Sequence, residues 1–149
     1  MERIVIQSSE DNIIEVEKFI SVFCDTYNIN NYAGSISISL IQAVKNAIIH
    51  GNKNDSAKSV VIVGDKCKGG VFFTISDQGE GFDYDKVNCD LSDQCKGIFL
   101  MHSLSDKVTF LDGGSTVRLD FVINGIDPSC ALERIATLHR YYSPKLVNA

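Results

Sequence analysis

The stretch Leu40–Gly51, LIQAVKNAIIHG, most constrains how this chain folds. Read at about 100° per residue, it is a two-faced helix. Leu40, Ile41, Val44, Ala47 and Ile48 gather on one side, and Gln42, Asn46, His50 and, a step further, Lys53 on the other. Taken alone, the polar stripe is the solvated face of an amphipathic helix. That reading changes beside SDQGEGFD at Ser76–Asp83, a loop that sets an aspartate against two spaced glycines. Glycines there permit backbone conformations and close approaches that other residues forbid.

At 149 residues and 44% hydrophobic content, the chain is long and apolar enough for one domain with its own core. A net charge of −5 argues against nucleic acid as the main ligand, since phosphate binding needs a basic footprint. No apolar run approaches the ~20 residues of a membrane span. The N-terminus MERIVIQSSED has neither the apolar core nor the cleavage site of a secretory signal. The expected location is therefore the cytoplasm, with no membrane and no direct nucleic-acid partner. Cys24, Cys67, Cys89, Cys95 and Cys130 form no C-x-x-C pair and read as free thiols. The spacing of Cys89, Cys95 and His102 matches no usual zinc site.

In chain order, Arg3–Gln7 reads as a strand. Ser8 or Ser9 caps a helix with Glu10 and Asp11 in its first turn and an inward stripe of Ile13, Val16, Ile20, Phe23, Cys24 and Tyr27. After the turn Asn28–Asn31, Ile36 to His50 forms the central helix, with Gly51 and Asn52 as its left-handed stop. Ser59–Gly64 and Val71–Ser76 form a hairpin about a turn at Lys66–Gly70. A long irregular stretch runs from Asp77 to near Lys96, followed by a short helix, Gly97–Leu104, opening at its glycine. Lys107–Leu111 and Ser115–Ile123 form a second hairpin about Asp112-Gly113-Gly114, with Arg118 and Asp120 on a wet face. Helices and hairpins segregate, so the expected class is α+β, a two-layer α/β sandwich with helices on one sheet face. Asp127-Pro128 starts a last amphipathic segment with Ala131, Leu132, Ile135, Leu138 and Tyr142 on one stripe. Within Asn124–Ala149 this stripe packs on the domain itself, seals a homodimer or docks a partner.

The chemistry follows from residue types. Asp77, at the end of a strand, can accept a hydrogen bond from an exocyclic amine while apolar neighbours sandwich a flat base. Asn46 presents an amide oxygen, a hard ligand suited to Mg²⁺. Gly97, at the opening of a helix, would offer free backbone N–H groups to phosphates.

Four ordered stretches resemble the ATP-binding domain of the gyrase, histidine-kinase and MutL (GHKL, histidine kinase-like ATPase) superfamily. Within it the resemblance is nearest to bacterial anti-sigma factors that are serine-protein kinases. The first box, EAVxNAxxHG in that family, is Gln42-Ala43-Val44-Lys45-Asn46-Ala47-Ile48-Ile49-His50-Gly51. The glycine box DxGxGFD is Asp77-Gln78-Gly79-Glu80-Gly81-Phe82-Asp83. The second box is Cys95-Lys96-Gly97-Ile98-Phe99-Leu100-Met101, followed by Asp106-Lys107-Val108, and the closing pattern is Gly113-Gly114-Ser115-Thr116-Val117.

The resemblance covers residues 1–123 and implies a Bergerat-type sandwich with a mixed, mainly antiparallel sheet. It implies ATP and Mg²⁺ as cofactors and a lid over roughly Asp83–Lys96. By resemblance Asn46 holds Mg²⁺, Asp77 reads adenine, and Gly79 and Gly81 shape the pocket. Lys96, Gly97 and Ile98 lie at the phosphates, and Thr116 lies near the base.

Two positions depart from the family pattern. Gln42 stands where the family has its catalytic Glu, and a neutral amide takes no proton; loss of a general base costs on the order of 10²–10⁴ in rate. Cys95 stands where the second box has its first glycine. The expected function is an ATP-binding anti-sigma-like regulator of a sigma factor or a STAS-type anti-anti-sigma protein, with serine-kinase activity weakened by Gln42. The alternatives are an active serine/threonine-protein kinase on a STAS-type protein, or a detached histidine-kinase-like module.

Overall fold

The computed structural model describes residues 1–81 and 93–123, with backbone alone at 93–95. Phe82 and Asp83 of the glycine box, most of the expected lid, and the segment Asn124–Ala149 lie outside the described residues.

Strand β1 (Glu2–Gln7) leads into Ser9, whose Oγ accepts the N–H of Asp11 at 3.3 Å and caps a 3₁₀ turn. Helix α1 (Ile13–Thr26) follows and buries Val16, Ile20, Phe23 and Cys24, the expected three-and-four spacing. A 3₁₀ turn at Asn30–Tyr32 feeds α2 (Ala33–Asn46), so this helix opens three residues before Ile36. It buries Ile36, Leu40, Ala43 and Val44.

Beyond Asn46 the helix widens into a π turn, Ala47–Gly51, with the N–H of Asn52 reaching the carbonyl of Ala47 at 2.8 Å. The left-handed residues are Lys53 (φ 53°) and Asn54 (φ 59°), where Gly51 and Asn52 were expected. The cause is Asn52, whose side chain is drawn wholly into the interior, so the chain reverses only after it.

Strands β2 (Ser59–Cys67) and β3 (Gly70–Ser76) form a hairpin that runs three residues past Gly64. Gly64 does not end the strand; a Cβ there would overlap the rings of Phe73 and Phe23, so the glycine makes room in the middle of it. Helix α3 (Asp93–Leu104) precedes β4 (Lys107–Leu111) and β5 (Thr116–Val122). Among the described residues the sheet order is β1-β2-β3-β5-β4 and every pairing is antiparallel, where the resemblance implied a mixed, mainly antiparallel sheet.

Alternation along the strands puts Ile62, Phe73, Ile75, Leu119 and Phe121 on one buried face against the helices. The fold is the expected α+β two-layer sandwich. On the other face Arg118 grips Asp120 through three contacts of 2.9–3.2 Å and lies 4.0 Å over the Phe72 ring. Among the described residues no helix is long and apolar enough to cross a membrane.

The centre of the core is aromatic. Phe23 lies 4.6 Å from Tyr27 and 4.7 Å from Phe73, and Phe73 lies 6.1 Å from Phe121. Phe73→Ala is expected to cost about 3–5 kcal/mol, because the surrounding rings cannot collapse into the space. Urea titration checks this: the midpoint falls while the slope is unchanged.

Candidate functional site

Asn46 is the last residue of α2, and Asp77 the first after β3. Between them lies a shallow cleft open to solvent. Its apolar walls are Ala43 of α2, Ala47 of the π turn, Ile75 and Val117 of the sheet, Met101 of α3 and Phe110 of β4. Its polar groups are Asn46, Asp77 and Ser115. The sheet fixes the base of this site: Ile75 pairs with Val117, and the N–H of Asp77 donates to the Ser115 carbonyl at 2.9 Å.

The Asp77 carboxylate accepts the N–H of Gly79 at 2.8 Å. Burial pushes its pKa above the ordinary value, against the opposing pull of that N–H and of the Lys58 charge. The Asn46 carboxamide has the opposite problem. Its Nδ2 is buried and has no hydrogen-bond partner among the described residues. Buried polar groups in native proteins are almost always paired, and Ser39 Oγ is the other such atom among the described residues.

The two glycines of the loop work by close approach. A Cβ on Gly79 would overlap the Gly51 carbonyl, and one on Gly81 would overlap the Gly113 carbonyl. Gly81 also has φ +82°, open to glycine and costly for other residues. The loop is thus pinned between the end of the π turn and the β4–β5 turn.

Two expected residues sit differently from the sequence expectation. Helix α3 opens at Asp93, four residues before Gly97, so the N–H of Gly97 points to the Asp93 carbonyl within the helix. It is not a free donor. Gly97 instead lets α3 sit close on α2: a Cβ there would come 3.3 Å from the Asn46 amide atoms and 3.4 Å from Gln42 Oε1. Its neighbours Lys96 and Ile98 do not line the cleft; Lys96 is exposed and Ile98 packs on the core.

Thr116 is the second. It pairs with Ser76 on the far side of the sheet, where its hydroxyl lies 2.9 Å from Ser76 Oγ and donates to Asp112 at 3.1 Å. Strand alternation gives the cleft to Ser115. The sequence reading missed Ser115 and Phe110; the parity of β5 relative to Val117 was the signal for the first. Gln42 stands one turn before Asn46 on the same face. Cys89 and the side chain of Cys95 lie outside the described residues.

The arrangement suits a planar base against apolar walls, with the Asp77 carboxylate at one end and the Asn46 carboxamide at the other. Mg²⁺ usually takes one or two protein oxygens beside phosphates and water, so one asparagine oxygen suffices.

The histidine kinase-like ATPase domain matches residues 7–121. No curated protein matches the chain. Among solved structures, the histidine kinase domain from Erythrobacter litoralis EL346 blue-light activated histidine kinase is similar in fold. The TM-score is 0.51 at 19% identity, over 67% of this chain and 48% of that one, so this chain spans about half the length of that relative. With 115 of its residues inside the matched span, the chain belongs to the histidine kinase-like ATPase domain family.

Proposed function

We propose that this chain binds ATP with Mg²⁺ in the cleft between α2 and the DQGEG loop and serves as a nucleotide-dependent, anti-sigma-like regulator. Its partner on this reading is a sigma factor or a STAS-type antagonist protein. One observation carries the nucleotide part: an apolar cleft with the Asp77 carboxylate at one end and the Asn46 carboxamide at the other, whose buried Nδ2 has no partner among the described residues and is free to donate to a phosphate oxygen. Asn46 would give its oxygen to Mg²⁺, and the metal when bound would neutralise phosphate charge. Asp77 would accept the exocyclic amine of adenine, while Ile75, Met101 and Phe110 exclude water from the base.

Gln42 supports a regulator over an efficient kinase. Its Oε1 and the Asn46 amide border the same point at Gly97, so it sits beside the proposed metal ligand. A carboxamide there can orient a hydroxyl or water but cannot take its proton. The test is transfer of labelled γ-phosphate from ATP to a purified STAS-domain protein from the same genome. Near-background transfer is expected from the native chain, and Gln42→Glu is expected to raise the rate by about 10²–10⁴. Rapid transfer by the native chain would replace this reading with that of an active serine/threonine-protein kinase.

A further inference from the structure

The residue that ties the helix end to the glycine loop is Asn52, which no motif singles out. It is fully buried, and its carboxamide is paired at both ends. Its Oδ1 accepts the N–H of Gln78 at 2.7 Å. Its Nδ2 donates to the Ser59 carbonyl at 2.9 Å and to Ser8 Oγ at 2.5 Å. An N–H on one side and a carbonyl on the other leave one orientation for the amide.

Gln78 is held a second time, through Oε1, by the N–H of Ser59 at 2.7 Å. Its neighbours on either side are Asp77 and Gly79, which bond to each other across it. Next to Asn52, Gly51 leaves the space that the Asp77 carboxylate fills; a Cβ there would overlap it. The π turn after Asn46 therefore ends in two residues that fix the base-reading carboxylate, one by absence of bulk and one by hydrogen bonding.

We propose that Asn52 is a positioning residue that sets base selectivity: it clamps the Gln78 N–H, fixes the direction of the Asp77 carboxylate, and so makes the cleft prefer adenine over guanine. The chemistry is direct. Adenine presents an exocyclic amine where guanine presents a carbonyl oxygen, and a fixed carboxylate accepts from the first and repels the second. Once the clamp is cut, the carboxylate swings and the discrimination fades, while the Asn46 end is untouched. This inference rests on the nucleotide reading above.

The experiment is titration of the full chain and of Asn52→Ala with ATP, GTP and tripolyphosphate, each with Mg²⁺. The ATP-to-GTP affinity ratio is expected to fall about tenfold in Asn52→Ala, the scale of one lost hydrogen-bonded position, with tripolyphosphate affinity unchanged. Ser8→Ala, which removes only the bond farthest from Gln78, is expected to lower the unfolding midpoint and leave the ratio alone. Equal losses for all three ligands in Asn52→Ala would overturn the proposal and make Asn52 a structural residue only. If Asn52→Ala does not fold, Asn52→Ser decides: it keeps a polar atom in the buried site on a side chain too short to hold the Gln78 N–H as Oδ1 does, and an unchanged ratio there overturns the proposal. Absence of ATP binding by the native chain would overturn the nucleotide reading itself, an outcome distinct from the others.

Discussion

Asp77→Asn is expected to weaken ATP binding by about 100-fold or more while leaving the fold at least as stable as before. The reason lies in which oxygen is free. The carboxylate already spends one oxygen on the Gly79 N–H, at 2.8 Å. An asparagine that keeps this bond turns its NH₂ toward the base, donor against donor. A hydrogen bond to a charged group contributes about 1.5–3 kcal/mol, and the repulsion adds to its loss.

Stability moves the other way. The folded-state pKa of Asp77 is raised, chiefly by burial, so ionised Asp77 opposes folding. That penalty is absent below the unfolded-state pKa and grows as pH rises through the folded-state value. The advantage of Asp77→Asn in urea is therefore expected at neutral pH and to shrink in acid. A variant less stable than the native chain at pH 7 would contradict this account of the carboxylate.

Gly79→Ala carries the second large effect. The added Cβ overlaps the Gly51 carbonyl and comes 3.0 Å from Asp77 Oδ1. Backbone cannot yield as a side-chain tip does, so the loop must lift off the end of α2. Lifting breaks the Gly79–Asp77 and Gln78–Asn52 hydrogen bonds together. The expected cost is about 3 kcal/mol, the upper part of the range for overpacking. ATP binding is lost with it. Glu80→Ala, an exposed neighbour in the same loop, serves as the control and should change neither property. Nucleotide binding by Gly79→Ala at native strength would show that the loop does not need its contact with Gly51.

The stripes of α1 and α2, the two hairpins and the order of the boxes were legible because each rests on local periodicity. The polar stripe of α2 also gave Asn46 and Gln42 correctly as neighbours on one face. What escaped the sequence depends on partners far along the chain. Gly64 reads as a strand end until Phe23 and Phe73 are seen to need its space. The start of α3 follows Ser92, a residue of capping type inside a polar run that also offers Asp90 and Asp93, so the signal was diluted and Gly97 was taken for a helix opening when it is a packing contact. Thr116 and Ser115 differ by one residue, and in a strand one residue is the whole difference between two faces. Asn52 looked like a helix stop because asparagine often is one. Its role comes from bonds to residues 44 and 26 positions away.

The central claim is that α2 and the glycine loop hold ATP with Mg²⁺, and calorimetric titration of the native chain with ATP, with and without Mg²⁺, tests it most directly. The account predicts one-to-one binding that Mg²⁺ strengthens, with the Mg²⁺ effect lost in Asn46→Ala. No heat of binding in either condition, or binding that neither Mg²⁺ nor Asn46→Ala alters, would contradict it.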